Sequence, residues 1–364
     1  MQKIIQTDNT IREIEKILND LNIIKYFLVC GNSIKKNDLY SFFVNDSRLT
    51  GIFSEYTPNP KFEDICKGVV RYKVSGCNCI ISVGGGSSID VAKCIKIFSR
   101  MGNPDYYLKK SNIVSDDILI AIPTTAGSGS ESTRFAAIYV DNEKKSIQNN
   151  YALPEFVILN SNYLTMLPRK HKVCSMLDAL CQSIEAWWSV NSTEESIRYS
   201  KEAISLIIDN MNSYLLDGNK ESSDRILLAA NLSGRAINIA KTTAAHAMSY
   251  KLTTLYNIPH GCAVAILLPK IWEYMINNLD KCTDIRGVEY IKKVFSDISI
   301  CLGANSPKVA IVKIENIIQK NEIKQPIVEK SELLQLVKSV NIERLKNNPV
   351  LIPEDEILNI YLSS

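Results

Sequence analysis

Four short apolar runs in the first half of the chain alternate with polar stretches whose apolar residues recur every three to four positions. The runs lie within KYFLVCG, CNCIISVGG, DILIAIPTT and FVILN, and each ends at glycine, proline, threonine or asparagine. Such alternation is typical of a parallel β-sheet with helices on its faces, so it predicts an α/β, Rossmann-like N-terminal domain. The segment FAAIYVDNEKKSIQ predicts a hairpin attached to that sheet.

The pattern changes after Leu167. Later segments carry apolar residues at helical spacing and few strand signals, so we predict an all-helical C-terminal domain. The boundary falls near residue 166, which gives domains of 1–166 and 167–364. We expect Pro168 to be the first helical residue. KVFSDISICLGANSPK and Asn347–Pro349 are interpreted as loops between late helices.

Composition excludes several classes of protein. The 364 residues are 46% hydrophobic and 22% charged, which is ordinary for a globular protein. A net charge of +3 is too balanced for a protein that coats nucleic acid or anionic membrane. No apolar run reaches the length of a membrane span, and the first residues lack the apolar core of a signal peptide. The ten cysteines form no regular framework, so we expect reduced thiols and a cytoplasmic location.

The clearest local motif is ISVGGGSSIDVAK, an apolar strand, three glycines and a helix-like segment. Glycine lets the backbone approach an anion, and the N–H groups of a helix start face a phosphate. We therefore assign Gly84–Gly86 and Ser87 to phosphate binding, and expect Ser87 or Ser88 to cap the helix. Asp90 and Lys93 follow in the first turn, from which a side chain can reach a ligand. A plain strand-to-helix turn is the alternative.

A second loop rich in small residues, Ile122–Thr133, follows another apolar run. Both loops should lie at the carboxyl edge of the sheet, where open α/β sheets bind ligands. Thr124, Thr125 and Ser128 are therefore candidate cofactor-binding residues, and we add Lys145 from the hairpin. Neither loop matches the G-x-G-x-x-G fingerprint.

Asp178, Gln182, His246 and His260 are the candidate metal ligands. Asp178 and Gln182 are four residues apart in a helical segment and so share one face. His246 and His260 bracket a segment that ends in Pro-His-Gly. One carboxylate, one amide and two imidazoles suit Fe²⁺ or Zn²⁺. From spacing alone, an exposed aspartate, a buried amide and two core histidines explain the pattern equally well.

At these spacings GGGSSIDVAK, PTTAGSGSE, DAL followed by IEA, and HAM followed by IPHG resemble the iron-containing (group III) alcohol dehydrogenases. The resemblance implies a dinucleotide domain, a helical metal domain with the dehydroquinate synthase-like architecture, and hydride transfer in a cleft between them. It implies metal ligation by Asp178, His246 and His260. Gln182 replaces the family's remaining ligand histidine, and Tyr250 replaces a further active-site histidine. Since an amide is a weaker ligand than imidazole, the choice of metal stays open.

A finer resemblance points to an acidic substrate. STRFA, QSIEAWWSVNST, TTAAHAMSY and RLKNNPV resemble the phosphonoacetaldehyde reductase branch of that family, which forms 2-hydroxyethylphosphonate. Arg134 and Lys241 are then candidate cations for the phosphonate, with Thr242 and Thr243 as hydroxyl donors. Tyr250 is a candidate proton relay. Taken singly, each cation is explained equally well as a solvated surface charge.

The turn after the first apolar run bears on cofactor choice. Gly31 stands where NAD-preferring members of the family carry an aspartate that binds the ribose hydroxyl and repels a 2′-phosphate. Gly31, Asn32 and Ser33 remove that repulsion, and Lys35 or Lys36 would add attraction. We therefore favour NADPH, or use of both NADPH and NADH. A loop of different shape is the alternative.

The leading hypothesis is a metal-dependent, NAD(P)H-linked reduction of a small aldehyde, phosphonoacetaldehyde in particular. A general alcohol dehydrogenase for neutral short-chain alcohols is the first alternative. A non-redox lyase similar to dehydroquinate synthase and a nucleotide-binding relic are the others. We expect a small-molecule substrate, no nucleic-acid or membrane partner, and a homo-oligomer, most simply a dimer.

Overall fold

The computed structural model describes residues 2–103, 107–109, 113–141 and 143–362. The chain divides into two compact units, Met1–Leu167 and Pro168–Ser364. Among the described residues, no helix combines the length and the apolar character that crossing a bilayer requires.

The first unit is built on a six-stranded parallel sheet with the strand order β1-β8-β5-β4-β2-β3. Two further strands, β6 and β7, form a separate antiparallel hairpin. The strands are β1 (Lys3–Gln6), β2 (Tyr26–Cys30), β3 (Leu49–Phe53), β4 (Cys79–Gly84), β5 (Ile118–Pro123), β6 (Phe135–Val140), β7 (Glu143–Gln148) and β8 (Phe156–Leu159). The four apolar runs became β2, β4, β5 and β8, so the predicted α/β class is confirmed. The hairpin is also present.

The α-helices in the described part of this unit are α1 (Thr10–Asp20), α2 (Asp38–Asn45), α3 (Phe62–Ser75), α4 (Gly86–Phe98) and α5 (Asn162–Thr165). The buried strand β2 shows why the helices cover both faces of the sheet. Phe27 and Val29 pack into a core with residues of α3 and α4, whereas Leu28 packs into another with residues of α1 and α2. Alternate side chains of a strand point to opposite faces, so a fully apolar strand needs two covers.

The order of the strands creates one crevice at the carboxyl edge of the sheet. From β2 the chain moves outward to β3 and then returns across β2 to β4. The loops after β2 and β4 therefore leave neighbouring strands in opposite directions, which is the switch point where open α/β sheets bind ligands. The amide of Gly31, just after β2, donates to the β4 carbonyl of Val83 at 3.4 Å.

The second unit is helical. Its helices are α6 (Arg169–Trp188), α7 (Glu194–Leu216), α8 (Lys220–Ala240), α9 (Ala244–Leu255), α10 (His260–Asn277), α11 (Val288–Cys301), α12 (Pro307–Lys320), α13 (Lys330–Lys338), α14 (Ile342–Leu345) and α15 (Glu354–Leu362). Helix α6 is buried on every side in its second half, as a central helix must be. Its last residue, Trp188, contacts Trp272 of α10 edge to face, with ring centroids 5.5 Å apart.

Two predictions about local structure are wrong in this unit. Pro168 precedes the helix as its N-cap residue, and α6 begins at Arg169. Most of the predicted loop KVFSDISICLGANSPK is helical, because its first nine residues end α11 and its last two begin α12, and only residues 302–306 lie outside the helices. Val294, Phe295 and Ile298 of that segment are buried at helical spacing, and the interspersed serines concealed this pattern. Asn347–Pro349 does lie outside the helices, as expected.

The expectation of ten reduced thiols is also wrong. Cys174 of α6 and Cys262 of α10 form a disulfide across 88 residues of sequence, with Cα atoms 5.1 Å apart. The sequence shows no framework because the contact exists only once α6 and α10 pack together. The other eight cysteines are free, and Cys30, Cys79, Cys94 and Cys181 are buried as core residues.

Candidate active site

The glycine-rich turn after β4 begins α4 at Gly86, with Gly85 as the N-cap residue. No side chain caps this helix, so the predicted capping by Ser87 or Ser88 is wrong. Both serines already lie inside the first turn. The Ser88 hydroxyl instead accepts from the Tyr56 hydroxyl at 2.8 Å.

Glycine is required at both ends of this turn by close contacts. Gly84 has φ +151°, and a Cβ there would lie 2.1 Å from Ser88 Oγ. A Cβ on Gly86 would lie 2.6 Å from Ser128 Oγ. The turn after β4 and the loop after β5 therefore press against each other at the carboxyl edge, and the start of α4 stays free of bulk.

The second loop is joined to the first by backbone as well as side-chain contacts. The amide of Thr124 donates to the Gly84 carbonyl at 3.0 Å. A Cβ on Gly85 would lie 3.3 Å from the Thr125 side chain, which is tighter than ordinary contact. The predicted cofactor-binding residues of the two loops thus form one continuous surface of glycine and small hydroxyl residues.

Asp90 and Lys93 point away from the start of α4 and into the loop that precedes β6. Lys93 is fully buried and donates to Ser130 Oγ at 2.9 Å, Thr133 Oγ1 at 3.0 Å and the Phe135 carbonyl at 2.6 Å. Asp90 accepts from the Ser130 hydroxyl at 2.5 Å. Burial lowers the pKa of Lys93 to about 8. These hydrogen bonds hold the second loop in place, so Asp90 and Lys93 position the loop that lines the crevice.

The turn after β2 is a 3-10 segment, Asn32–Lys36. Asn32, Ser33 and Lys35 are exposed. A Cβ on Gly31 would make only ordinary contacts, 3.6 Å from Ser88 Oγ and 3.8 Å from Ser33 Oγ. A methyl group at position 31 would therefore fit without a clash. The Lys36 side chain lies outside the described atoms.

Two more candidates of the first unit lie on or beside the hairpin. Arg134, just before β6, is half-buried and donates to Asn150 Oδ1 at 3.3 Å. Lys145 is exposed on β7 and pairs in register with Ile138. The contact of Arg134 with the substrate and that of Lys145 with the cofactor stay predictions.

The second unit brings Asp178 of α6, His246 of α9 and His260 of α10 together. One ligand atom from each lies within 4.8 Å of the others. His246 Nε2 is 3.4 Å from Asp178 Oδ1, and the two imidazole rings meet edge to face at 5.4 Å. Asp178 is 6% exposed and His246 3%. Three separate helices thus converge on one buried point.

The atoms at this point fit a divalent metal ion. In the part of the chain that the structure describes, Asp178 Oδ1 and His246 Nε2 are buried and make no hydrogen bond. Buried polar atoms are nearly always paired, so two orphans facing each other indicate a ligand. One carboxylate oxygen and imidazole nitrogens are donors that Zn²⁺ and Fe²⁺ accept.

Gln182, the fourth predicted ligand, lies one turn beyond Asp178 on α6 and is buried. The Ser233 hydroxyl lies 2.9 Å from Gln182 Oε1 and 3.0 Å from the Ala179 carbonyl, so it shares its proton between them. The amide oxygen therefore already accepts a hydrogen bond. Metal ligation by Gln182 stays a prediction.

Glu185 of α6, which is absent from the predicted site residues, contacts the candidate metal ligand His246. It is fully buried, and its Oε1 accepts from the amide and hydroxyl of Thr243 at 3.1 and 2.9 Å and from the amide of Ala245 at 2.9 Å. These donors form the start of α9, whose first N–H groups have no partner within the helix. Glu185 Oε2 faces His246 Nδ1. The signal was present in the sequence as the IEA that follows DAL.

The contact between Glu185 and His246 sets the chemistry of the imidazole. Burial alone would lower the pKa of His246, but the Glu185 carboxylate and then Asp178 raise it on balance. Burial would raise the pKa of Glu185, but His246 and the donors of α9 lower it, so Glu185 is a carboxylate. The hydrogen-bond network assigns the ring proton to Nδ1, and Nε2 is left to bind a metal.

A glycine contact sets the distance between α6 and α10. A Cβ on Gly261 would lie 2.0 Å from the Cys174 carbonyl oxygen and 2.7 Å from Asp178 Cβ. Only glycine allows the start of α10 to approach the backbone of α6 this closely. The approach places His260 beside Asp178, and the disulfide from Cys262 joins the same two helices.

Tyr250 and Lys241, the other candidates of this unit, differ in position. Tyr250 lies one turn beyond His246 on α9, and its ring stacks on that of His260 with centroids 5.8 Å apart. Lys241 is exposed at the end of α8, with φ +63°. The structure therefore brings Tyr250 to the metal ligands.

A parallel sheet with a glycine-rich edge is followed in the chain by a helical unit that carries the Asp178, His246 and His260 cluster, and this combination is typical of the dehydroquinate synthase-like fold. Family models identify the class further. The model "Iron-containing alcohol dehydrogenase" matches residues 1–161, and "Fe-containing alcohol dehydrogenase family, C-terminal" matches residues 172–364. The chain belongs to the iron-containing alcohol dehydrogenase family.

Individual relatives agree with this assignment. The chain is 32% identical over 254 residues to phosphonoacetaldehyde reductase of Streptomyces viridochromogenes, which covers 65% of this chain and 63% of that protein. It is 30% identical over 240 residues to 1,3-propanediol dehydrogenase of Klebsiella pneumoniae, covering 64% and 62%. The matches thus span less than two thirds of each curated relative. The crystal structure of sulfoacetaldehyde reductase from Bifidobacterium kashiwanohense with NAD+ has a TM-score of 0.89, 21% identity and coverage of 99% and 96%.

These findings confirm the predicted family and the fold class. The predicted cofactors, a nicotinamide dinucleotide and a divalent metal, agree with the family and with the Asp178, His246 and His260 cluster.

The contact at Gly261 generates a first prediction. Replacing Gly261 by Ala puts a methyl group against the Cys174 carbonyl, so α10 must move away from α6 and His260 from Asp178. We expect metal affinity to fall at least about tenfold and the free energy of unfolding by about 1–3 kcal/mol. Titration calorimetry with Zn²⁺ and chemical denaturation measure the two effects. Gly102→Ala is the control, because a Cβ there meets nothing within 4 Å. Metal affinity unchanged in Gly261→Ala would contradict the account.

The role of Glu185 generates a second prediction. Glu185→Gln keeps the shape of the side chain but removes its negative charge. One carboxylate oxygen, an acceptor, becomes an NH₂ group, which is a donor and faces the donors at the start of α9 or on His246. We expect Zn²⁺ affinity to fall about 10- to 100-fold, because the imidazole loses its orienting carboxylate. Glu273→Gln, which removes an exposed carboxylate from α10, is the matched control. Equal affinities of the two variants would show that Glu185 does not position His246.

Proposed function

We propose that this protein reduces a small aldehyde to its alcohol with a nicotinamide dinucleotide and a divalent metal, and that the aldehyde is phosphonoacetaldehyde. One observation carries the reductase proposal. Asp178 Oδ1 and His246 Nε2 are buried beside His260 without hydrogen-bond partners, and both can act as metal ligands. The resemblance to phosphonoacetaldehyde reductase supports the particular substrate.

The first unit would bind the dinucleotide at the carboxyl edge of its sheet. The pyrophosphate would bind to the N–H groups at the start of α4, where the glycine turn Gly84–Gly86 carries no side chains, and Thr124, Thr125 and Ser128 would offer hydroxyl groups beside it. Gly31, Asn32 and Ser33 carry no carboxylate that would repel a 2′-phosphate, which supports NADPH or use of both cofactors. The NAD+ bound in sulfoacetaldehyde reductase supports the cofactor class.

The second unit would hold the metal with Asp178, His246 and His260, and with Gln182 as a candidate fourth ligand. When bound, the metal supplies Lewis-acid polarisation of a carbonyl oxygen, and the reduced dinucleotide supplies the hydride. Glu185 holds the Nδ1 proton of His246 and keeps Nε2 directed inward. Tyr250, whose ring stacks on that of His260, would deliver a proton from its hydroxyl to the carbonyl oxygen of the substrate as that oxygen becomes the alcohol oxygen.

An acidic substrate would give Arg134 and Lys241 a role that a neutral one would not, since a phosphonate carries nearly two negative charges at neutral pH. Arg134 and Lys241 remain proposed substrate contacts. We also propose a cytoplasmic location and a homodimer.

The second candidate function is oxidation and reduction of neutral short-chain alcohols and aldehydes. It is favoured by the similarity to 1,3-propanediol dehydrogenase, whose name specifies an uncharged diol. Both candidates use the same metal and dinucleotide sites, so only the substrate distinguishes them.

A panel of aldehydes tests the proposal. Phosphonoacetaldehyde, sulfoacetaldehyde and butanal are each supplied with NADPH and with NADH, and initial rates of cofactor oxidation are measured. We expect kcat/KM for phosphonoacetaldehyde to exceed that for butanal at least about tenfold, because only the acidic aldehyde gains charge-assisted hydrogen bonds. NADPH should be used at least as well as NADH. A preference for butanal would establish the neutral-alcohol function, and no oxidation with any aldehyde would contradict a reductase.

A further inference from the structure

A cation that the motifs did not single out as a substrate contact lies beside the metal ligands. Arg344 of α14 donates from Nη1 to Thr242 Oγ1, and its guanidinium carbon lies 5.4 Å from the ring centroid of Tyr250. The Tyr250 ring stacks on His260 at 5.8 Å. One aromatic ring therefore separates the Arg344 guanidinium from a metal ligand.

The backbone holds Arg344 in this position. Asn341 caps α14 by accepting from the Arg344 amide at 3.0 Å, and the Asn341 amide donates to the Ala247 carbonyl of α9 at 3.5 Å. The buried side chain of Asn347, just beyond α14, donates to the Thr242 carbonyl at 3.0 Å. Arg344 and Thr242, 102 residues apart in sequence, are thus fixed against each other.

Arg344 is half-buried, and within the described ranges no ion pair joins it to a carboxylate. Arg286 of the same unit shows the contrast, since Asp284 binds it at 2.5 Å and neutralises it. A guanidinium that is partly desolvated and is not balanced by an acid attracts an anionic ligand. Thr242 adds a donor, because its oxygen accepts from Arg344 and its own proton is left for another acceptor.

We propose that Arg344, together with Thr242, binds the acidic end of the substrate, and so determines the specificity of the enzyme for short aldehydes that carry a phosphonate, sulfonate or carboxylate. This inference rests on the proposed reductase function and names the residue that selects the substrate. The planar guanidinium gives two parallel hydrogen bonds to two oxygens of the acid. The Tyr250 ring contacts both the Arg344 guanidinium and the His260 ring, so the acid site and the metal ligands lie around one aromatic side chain.

Lys241, predicted above as a cation for the phosphonate, is less well positioned than Arg344. Lys241 is exposed, and its neighbour Thr242 is the residue that faces Arg344. Specificity for the acid therefore depends on Arg344 more than on Lys241.

The test compares Arg344→Gln and Arg344→Lys with Lys338→Gln, which removes an exposed cation from α13. We expect Arg344→Gln to lower kcat/KM for phosphonoacetaldehyde about 30- to 1,000-fold, mainly through KM, and to lower that for butanal at least tenfold less. Arg344→Lys should recover part of the loss, since it restores charge but not the two parallel hydrogen bonds. Lys338→Gln should match the wild type.

Binding measured without turnover separates this inference from the proposed function. Titration calorimetry with methylphosphonate, methanesulfonate and acetate should show binding to the wild type and at least tenfold weaker binding to Arg344→Gln, and the three probes rank the acid groups. Thermal unfolding checks that the variant is folded, and Arg344→Lys serves if it is not. Wild type that fails to reduce phosphonoacetaldehyde overturns the proposed substrate. Probe binding that is equal in wild type and Arg344→Gln, or equal losses on both aldehydes, overturns the role of Arg344.

Discussion

The helical unit depends on one buried carboxylate. Glu185 has no exposed surface, and a charge in that position is tolerated only because donors surround it. Its Oε1 accepts hydrogen bonds from the first N–H groups of α9, and its Oε2 faces the His246 ring. The start of a helix favours a negative charge, so the same carboxylate satisfies α9 and orients its histidine. Without Glu185, the amides of Thr243, Ala245 and His246 at the start of α9 would lose their hydrogen bonds to its carboxylate.

Close backbone contacts provide the second constraint. Gly261 lets α10 approach α6, and Gly84 and Gly86 let the turn after β4 press against the next loop. In both units the absence of a side chain on glycine shapes a site. Gly261 lets the two ligand-bearing helices α6 and α10 come together, and Gly84 and Gly86 let the two loops meet at the start of α4. Glycine therefore controls where the chemistry takes place, although it supplies none of the reacting groups.

Much of the fold was predictable because it is encoded locally. The strands β2, β4 and β5 are continuous apolar runs, and the three adjacent glycines mark the turn after β4. Edge strands were missed: β1 and β3 are short and only partly buried, so their composition carries little signal. The serines of α11 similarly hid a helix.

The parts of the site that the sequence did not predict all depend on long-range contacts. Glu185 reads as an ordinary helical charge until the start of α9, about 60 residues later, packs against it. The pairing of Cys174 with Cys262 and the contact of Arg344 with Thr242 join residues still further apart. By contrast, Asp178, His246 and His260 were identified through motifs, and their convergence needed the packing of three helices.

The central claim is that Asp178, His246 and His260 bind one divalent ion. X-ray absorption spectroscopy of the zinc-loaded protein tests it most directly. We expect a first shell of nitrogen and oxygen at about 2.0–2.2 Å, with the outer-shell scattering of two imidazole rings. Replacing His260 by Ala should remove one imidazole from that pattern. A shell containing sulfur at about 2.3 Å, or a spectrum without imidazole scattering, would contradict the site.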